Sequence, residues 1–395
     1  MATILYAWEL GGGLGHVLPF IPLAQRLRQN SHRVVAALRQ LQLQPPTLVE
    51  LGLEIIPAPH KNWRTEDRIE PACTFAHILH NTGWSNPHDL NKLVSDWRKL
   101  IATVRPDLII ADHSPCALLA ARIEGVPCVT FGTGFFLPLD QTPLPNLRLS
   151  PEIDLDQQAA DEDRVLRNAN AILQSAGLPK LSRLTQLYAD VPDKILTTFA
   201  ELDHFPNRNS GRYCGVWRTA GVGRRFAWPA GLRPRVFAYL KDAPGTLDVV
   251  RFLAASGHAT MLFAPQLADR VKPPINATLG FSATPLEMEQ VRSECDFAVL
   301  NANHATAAEI LLAGKPILSV PITLEQGLLA RRIAAQGLGL AVPLGNPQHF
   351  AAAYRQMTTD PRYTQAAQRF AQKYAAYDSQ KAIEDVITRL EALLP

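Results

Sequence analysis

Several signatures that would settle a function at once are missing from this chain of 395 residues. Its five cysteines, Cys73, Cys116, Cys128, Cys214 and Cys295, are scattered without a CxxC pair. With no HExxH and no Cys/His set at zinc spacing, no metal is implied, and a reduced, cytoplasmic protein is the simplest reading. Charge of one sign is also lacking. Lys and Arg number 39 against 36 Asp and Glu, a net charge of +3, which argues against a dedicated nucleic-acid binder with its concentrated basic excess. No uninterrupted apolar run approaches the roughly 20 residues of a membrane helix, so no integral membrane segment is expected. A charge of +3 is too small to decide whether the surface touches a membrane peripherally. The short apolar stretch near the start follows no basic region and is interrupted by Trp8-Glu9 and the glycines from Gly11, unlike a signal peptide.

What is present is alternation. At about 100–200 residues per domain, the length suggests two domains. Residues 3–7 read as a strand, and after a glycine cluster Val17, Phe20, Ile21, Ala24 and Leu27 recur at helical spacing. Residues 33–38 read as a second strand. Residues 107–112 (DLIIAD) are a continuous apolar strand of the kind covered on both faces in a parallel sheet. A helix over 115–124 and a strand over 127–131 follow. Residues 132–206 look like loops and short helices, and the arginine-rich residues 207–233 suit an interdomain connection. Strand patterns resume at 236–240, 260–264, 275–281, 297–301 and 316–320, and residues 366–394 read as two helices. The reading is α/β: two Rossmann-like, doubly wound domains facing across a cleft. They comprise residues 1–206 and 234–375, with 376–395 as a helix packing back on the first domain.

Gly11-Gly12-Gly13-Leu14-Gly15-His16 lies between a strand and a helix, where backbone can approach a ligand closely. It is not the dinucleotide fingerprint, because His16 stands where GxGxxG requires glycine, and no Walker loop is present. His16 follows one strand and Asp112 ends another, so both should reach the carboxyl edge of one sheet, where active groups of such sheets sit. A carboxylate there can orient an imidazole and stabilise its protonated form, as a general base needs. A second constellation runs from Asn301 to Gln326. A tight turn after the strand aims a helix N-terminus and the Thr306 hydroxyl at an anion. Glu309, one turn further on, is placed to accept hydrogen bonds from sugar hydroxyls or simply to favour the helix start. Glu325-Gln326 again lies beyond a strand's end. Asp161-Glu162-Asp163 is a DxD string in a polar stretch and reads as a solvated charge run.

These residues carry a resemblance. The chain resembles the glycosyltransferases of GT-B architecture, in the group of UDP-sugar transferases and peptidoglycan N-acetylglucosaminyltransferases. The family's GHxxP turn is matched by Gly15-His16-Val17-Leu18-Pro19, and its GHxV by Ser31-His32-Arg33-Val34. Its PDxxxxD and GxP are matched by Pro106-Asp107 through Asp112 and by Gly125-Val126-Pro127. The late donor motif is matched by Thr306, Glu309, Gly314-Lys315-Pro316, Pro321 and Gln326. It departs in its His-Gly-Gly loop, here Asn301-Ala302-Asn303, in Ala305 for a glycine, and in Glu325 for an aspartate.

The resemblance implies sugar transfer from a nucleoside-diphosphate sugar, UDP- or dTDP-linked, to an acceptor hydroxyl, with inversion and without a metal or other cofactor. His16 would be the base and Asp112 its partner. Gly13, Gly15, Lys241, Thr246, Phe281, Asn301, Asn303, His304, Ala305, Thr306, Glu309, Glu325 and Gln326 fall at donor positions. Asn301 cannot supply the positive charge of the family's histidine, so Lys241 or His304 is expected to supply it. Trp84, Phe135 and Phe136 are assigned to a small-molecule or lipid-linked acceptor, with Trp63 and Trp97 in the same insertion. Two other readings stay open: a nucleotide-sugar hydrolase or epimerase on the same fold, and a non-catalytic binding protein whose altered loop no longer holds a diphosphate.

Overall fold

The apolar runs of this chain become strands buried on both faces. A computed structural model describes residues 1–62, 65–148, 154–217, 223–270 and 277–395. Trp63, the first two positions of the strand expected over 275–281 and residues 218–222 of the expected connection lie outside the described residues. The chain divides into two units, one of Met1–Thr198, Phe205–Trp217 and Ser379–Pro395, the other of Phe199–His204 and Arg218–Asp378.

The first unit holds a parallel sheet of β1 (Thr3–Trp8), β2 (Arg33–Leu38), β3 (Glu54–Pro57), β4 (Leu108–Asp112), β5 (Cys128–Gly132), β6 (Lys194–Leu196) and β7 (Arg212–Tyr213). Their order is β3-β2-β1-β4-β5-β6-β7, so the winding reverses between β1 and β4. Ligands of doubly wound sheets bind at such a reversal, outside the carboxyl ends of the strands. The register sets Trp8 beside Asp112 and Asp112 beside Phe131. After β1, residues 11–19 make turns, and the helix Phe20–Gln29 begins just after Pro19, later than the periodicity from Val17 suggested. It buries Phe20, Ile21, Leu23, Ala24 and Leu27. The helix Ser379–Glu391 belongs to this unit and buries Ile383, Val386, Ile387 and Leu390 in the same apolar cluster as Phe20.

Residues 132–206 differ from the sequence reading. They contain a 21-residue helix, Leu155–Ser175, capped by the Asp154 carboxylate accepting from the Gln157 N–H at 2.9 Å. Its buried apolar residues, Val165, Ala169 and Leu173, are few among charged and polar neighbours, which hide the period. The Asp161-Glu162-Asp163 string on this helix is solvated only at Asp163. Asp161 faces His77 Nε2 at 3.2 Å, Glu162 is buried and accepts from the Leu144 N–H at 2.8 Å, and Asp163 pairs with Arg167. β6 and β7, three and two residues long, are too short for a pattern to betray. By extending the first sheet they carry that unit on to Trp217, past the boundary expected at 206.

The second unit's parallel sheet holds β8 (Leu232–Tyr239), β9 (His258–Phe263), β10 (Leu279–Ser282), β11 (Phe297–Leu300), β12 (Ile317–Ser319) and β13 (Gly339–Ala341), in the order β10-β9-β8-β11-β12-β13. Here the reversal lies between β8 and β11. The helices Thr246–Ala255, His304–Leu312 and Leu324–Ala335 start just beyond strand ends. The last is fixed by a capping box, with Thr323 and Gln326 satisfying each other's backbone N–H groups. Among the described residues no helix is long and apolar enough to cross a membrane.

Candidate active site

The turns after β1 bring His16 over the reversal point of the first sheet. Its Nδ1 lies 2.9 Å from Asp112 Oδ2, and both side chains are buried. The carboxylate accepts from Nδ1–H, which fixes the tautomer and leaves the lone pair on Nε2. That nitrogen faces Gly11. A Cβ at Gly11 would come within 2.6 Å of it, and the residue's φ of +79° is itself a glycine conformation. The imidazole plane is held by Trp8 on one side, with ring centroids 4.9 Å apart, and by Phe136 at 4.8 Å. Gly13 donates its N–H to Gln40 Oε1 at 2.9 Å, while Gly15 has open space where a side chain would stand. An oriented imidazole with a free Nε2 and a carboxylate behind it is the arrangement of a general base.

Three further polar groups lie buried around this pair without having been legible in the sequence. Tyr6, inside β1, sends its hydroxyl to Asp112 Oδ2 at 2.6 Å, and burial followed by the Asp112 charge holds its phenol well above the usual value. His113 sits in left-handed backbone (φ 45°), packs on Phe136 with centroids 4.5 Å apart, and is kept well below its ordinary value chiefly by burial. Glu9 accepts from the Cys116 N–H at the start of the helix Pro115–Glu124. Only Asp112 and His16 announce themselves by position. The others are recognisable through partners distant in sequence.

Phe135 and Phe136, expected at the acceptor, do stand in this cluster, next to His113. Trp84 does not. It is fully buried in the main apolar core of the unit with Leu90, Trp97 and Val165, so the acceptor assignment for Trp84 is corrected to a packing role.

In the second unit the donor positions prove to be interlocked. Asn301 is fully buried, accepts from the Lys241 N–H at 2.7 Å through Oδ1 and donates through Nδ2 to the Val320 carbonyl at 2.8 Å. Its carboxamide therefore ties together the chain beyond β8, β11 and β12 and is not presented to a ligand. The following Ala302 has φ 61°, left-handed backbone that favours glycine. Asn303 Oδ1 accepts from Gln326 Nε2 at 2.9 Å, so Gln326 serves the loop as well as its own helix cap. Thr246, buried at the start of its helix, gives its hydroxyl to the Lys241 carbonyl at 3.0 Å.

Ala305 is exposed, and Thr306 half-buried, in the first turn of the helix His304–Leu312. Glu309 lies 4.0 Å from Arg292 Nη1, and Glu325 4.0 Å from His204 Nε2. Phe281 is half-buried against the unit's core. The expectation that His304 supplies positive charge fails. Burial pushes its imidazole down to about 4, with nearby Asp203 only partly opposing this, so it is neutral at neutral pH. Of the two compensating groups considered, Lys241 remains. Among the described residues no group of three or more His, Cys, Asp or Glu side chains is arranged to hold a metal ion.

No family model matches the chain. Its fold is nevertheless that of the GT-B glycosyltransferases, as the motifs implied. It superposes on the glycosyltransferase of kitacinnamycin with a TM-score of 0.71 at 18% identity, covering 100% of this chain and 99% of that one. On the spinosyn rhamnosyltransferase complexed with thymidine diphosphate the TM-score is 0.67 at 18% identity, covering 98% and 100%. In sequence it is 24% identical over 318 residues to a PGL/p-HBAD biosynthesis glycosyltransferase of Mycobacterium tuberculosis, covering 73% of this chain and 72% of the relative. It is 26% identical over 314 residues to a PGL/p-HBAD biosynthesis rhamnosyltransferase of Mycobacterium bovis, covering 72% and 67%.

Proposed function

We propose that this protein is an inverting glycosyltransferase that moves a sugar from a nucleoside diphosphate, UDP or dTDP, to an acceptor hydroxyl. The observation that carries the reading is the His16–Asp112 pair, 2.9 Å apart at the reversal point of the first sheet, with Nε2 left open. His16 Nε2 takes the proton of the acceptor hydroxyl as its oxygen attacks the anomeric carbon, and Asp112 stabilises the imidazolium that forms. Attack from the face opposite the leaving diphosphate inverts the anomeric configuration. The acceptor lies against the aromatic wall of Phe135, Phe136 and His113.

The second unit holds the donor. In this reading the first turn of the helix His304–Leu312 offers its N–H groups and the Thr306 hydroxyl to the diphosphate, and Lys241 adds a full charge. No metal ion is needed for that step. The similarity to a rhamnosyltransferase and to a thymidine diphosphate complex favours a dTDP-sugar among the donors to be tried.

Calorimetric titration with UDP and dTDP tests the donor half, and the anomeric configuration of the product tests the chemistry. Micromolar binding of one nucleotide and an inverted product are expected. Retained configuration would overturn the mechanism. Absence of affinity for any nucleoside diphosphate would favour the non-catalytic reading, and full-rate sugar release without acceptor would favour a hydrolase.

A further inference from the structure

Asp112 serves two donors through one oxygen. Its Oδ2 lies 2.9 Å from His16 Nδ1 and 2.6 Å from the Tyr6 hydroxyl, whereas Oδ1 is buried without a hydrogen-bond partner among the described residues. Tyr6 is completely buried in β1 and stacked on Phe20, ring centroids 3.8 Å apart, so packing fixes where its hydroxyl points. The same hydroxyl touches the main-chain carbonyl oxygen of His16. A phenol has one proton to donate. Here it has two acceptors, one on each partner of the dyad.

We propose that Tyr6 is a positioning residue that sets the proton affinity of His16 by sharing Asp112, an inference that rests on reading His16 as the base. While His16 is neutral, the Tyr6 hydroxyl donates to Asp112 Oδ2 and draws part of the carboxylate's charge away from the imidazole. When His16 takes the acceptor's proton on Nε2, the imidazolium weakens Asp112 as a hydrogen-bond acceptor. The Tyr6 proton then turns toward the His16 carbonyl oxygen, leaving the charge of Asp112 to the imidazolium when it is needed. Only hydrogen bonds are exchanged, and the one proton transferred comes from the acceptor hydroxyl.

The surroundings leave this role to Tyr6. From β1, Tyr6 and Trp8 face His16; from the end of β4, Asp112 and His113; from the turn after β5, Phe136. Trp8 and Phe136 carry no charge, and buried His113 stays neutral. Glu9 is held by the Ser114 hydroxyl and the Cys116 N–H, and Arg39 reaches the Glu9 carbonyl and acts by its charge on His113; among the described residues neither is hydrogen-bonded to His16 or Asp112.

The test needs no substrate. The imidazole of His16 is titrated by ¹⁵N NMR in the wild type and in Tyr6→Phe. Removing the hydroxyl should raise the His16 midpoint by about 0.5–1 pH unit, roughly a 3- to 10-fold gain in proton affinity. An unchanged or lowered midpoint in a folded variant overturns the proposal. If Tyr6→Phe does not fold, the wild type labelled at tyrosine ¹³Cζ carries the same test. The Tyr6 resonance should move with the His16 midpoint, and a flat response overturns the sharing of Asp112. In a turnover assay the acid limb of kcat/KM should shift upward with the midpoint, so Tyr6→Phe loses more at pH 6 than at pH 8.5. Failure of the glycosyltransferase reading would show as no turnover with any acceptor, and the titration would still decide the role of Tyr6.

Discussion

Glu9→Gln separates the charge of a buried carboxyl from its hydrogen bonds. Glu9 is 1% exposed at the carboxyl end of β1, accepts from the Cys116 N–H at 2.8 Å and is within 3.3 Å of the Ser114 hydroxyl. Burial raises its carboxyl from an ordinary 4.5 to about 7, and the hydrogen bonds from Cys116, Ala117 and Ser114 only partly oppose that rise. An acid whose value is higher in the folded state holds more protons folded than unfolded, so stability falls as pH climbs between the two values. At about 1.4 kcal/mol per pH unit, the span from 4.5 to about 7 costs about 3 kcal/mol by pH 8. Glutamine keeps an acceptor oxygen for the same turn and has nothing to ionise. Urea unfolding at pH 4 and pH 8 is the assay. The two proteins should be nearly equal at pH 4, and Glu9→Gln more stable by about 3 kcal/mol at pH 8. A difference that stays constant between those pH values would refute the reasoning.

Three predictions concern the donor loops. Asn301→Ala leaves the Lys241 N–H and the Val320 carbonyl without their buried partner. It should cost about 2–4 kcal/mol of stability and weaken UDP or dTDP binding, read by thermal unfolding and calorimetry. Because His304 is already neutral at physiological pH, His304→Gln should change nucleotide affinity less than twofold, roughly, between pH 6 and 8. Lys241→Ala, in contrast, should weaken it several-fold, with a smaller dependence on salt.

How much of this was legible in the sequence depends on the range of the interaction. β2 and the helix Pro115–Glu124 are found where the patterns put them, because period and capping are local. Asp112 and His16 could be paired in advance because strand ends of one parallel sheet share an edge. Tyr6 could not, since its role lies in a hydroxyl that meets a residue 106 positions away. His304 shows the reverse error. A histidine near a diphosphate position reads as a cation, and its enclosure beside His204 and Asp203, from an earlier stretch of chain, makes it neutral. Asn301 reads as a weakened ligand for the donor. In the structure it has become a brace for the loops, and the Lys241 and Val320 main-chain groups it holds are not marked by any motif.

The central claim, that His16 is the base, is tested most directly by the turnover of His16→Ala with the acceptor and donor that support transfer in the wild type. The variant is first shown to be folded and to bind nucleotide, because the imidazole is buried and its loss leaves Asp112 without one of its buried partners. With those controls met, the account predicts a loss of about 10²–10⁴ in kcat, the contribution of a placed general base. Undiminished turnover by a folded, nucleotide-binding His16→Ala protein would contradict it.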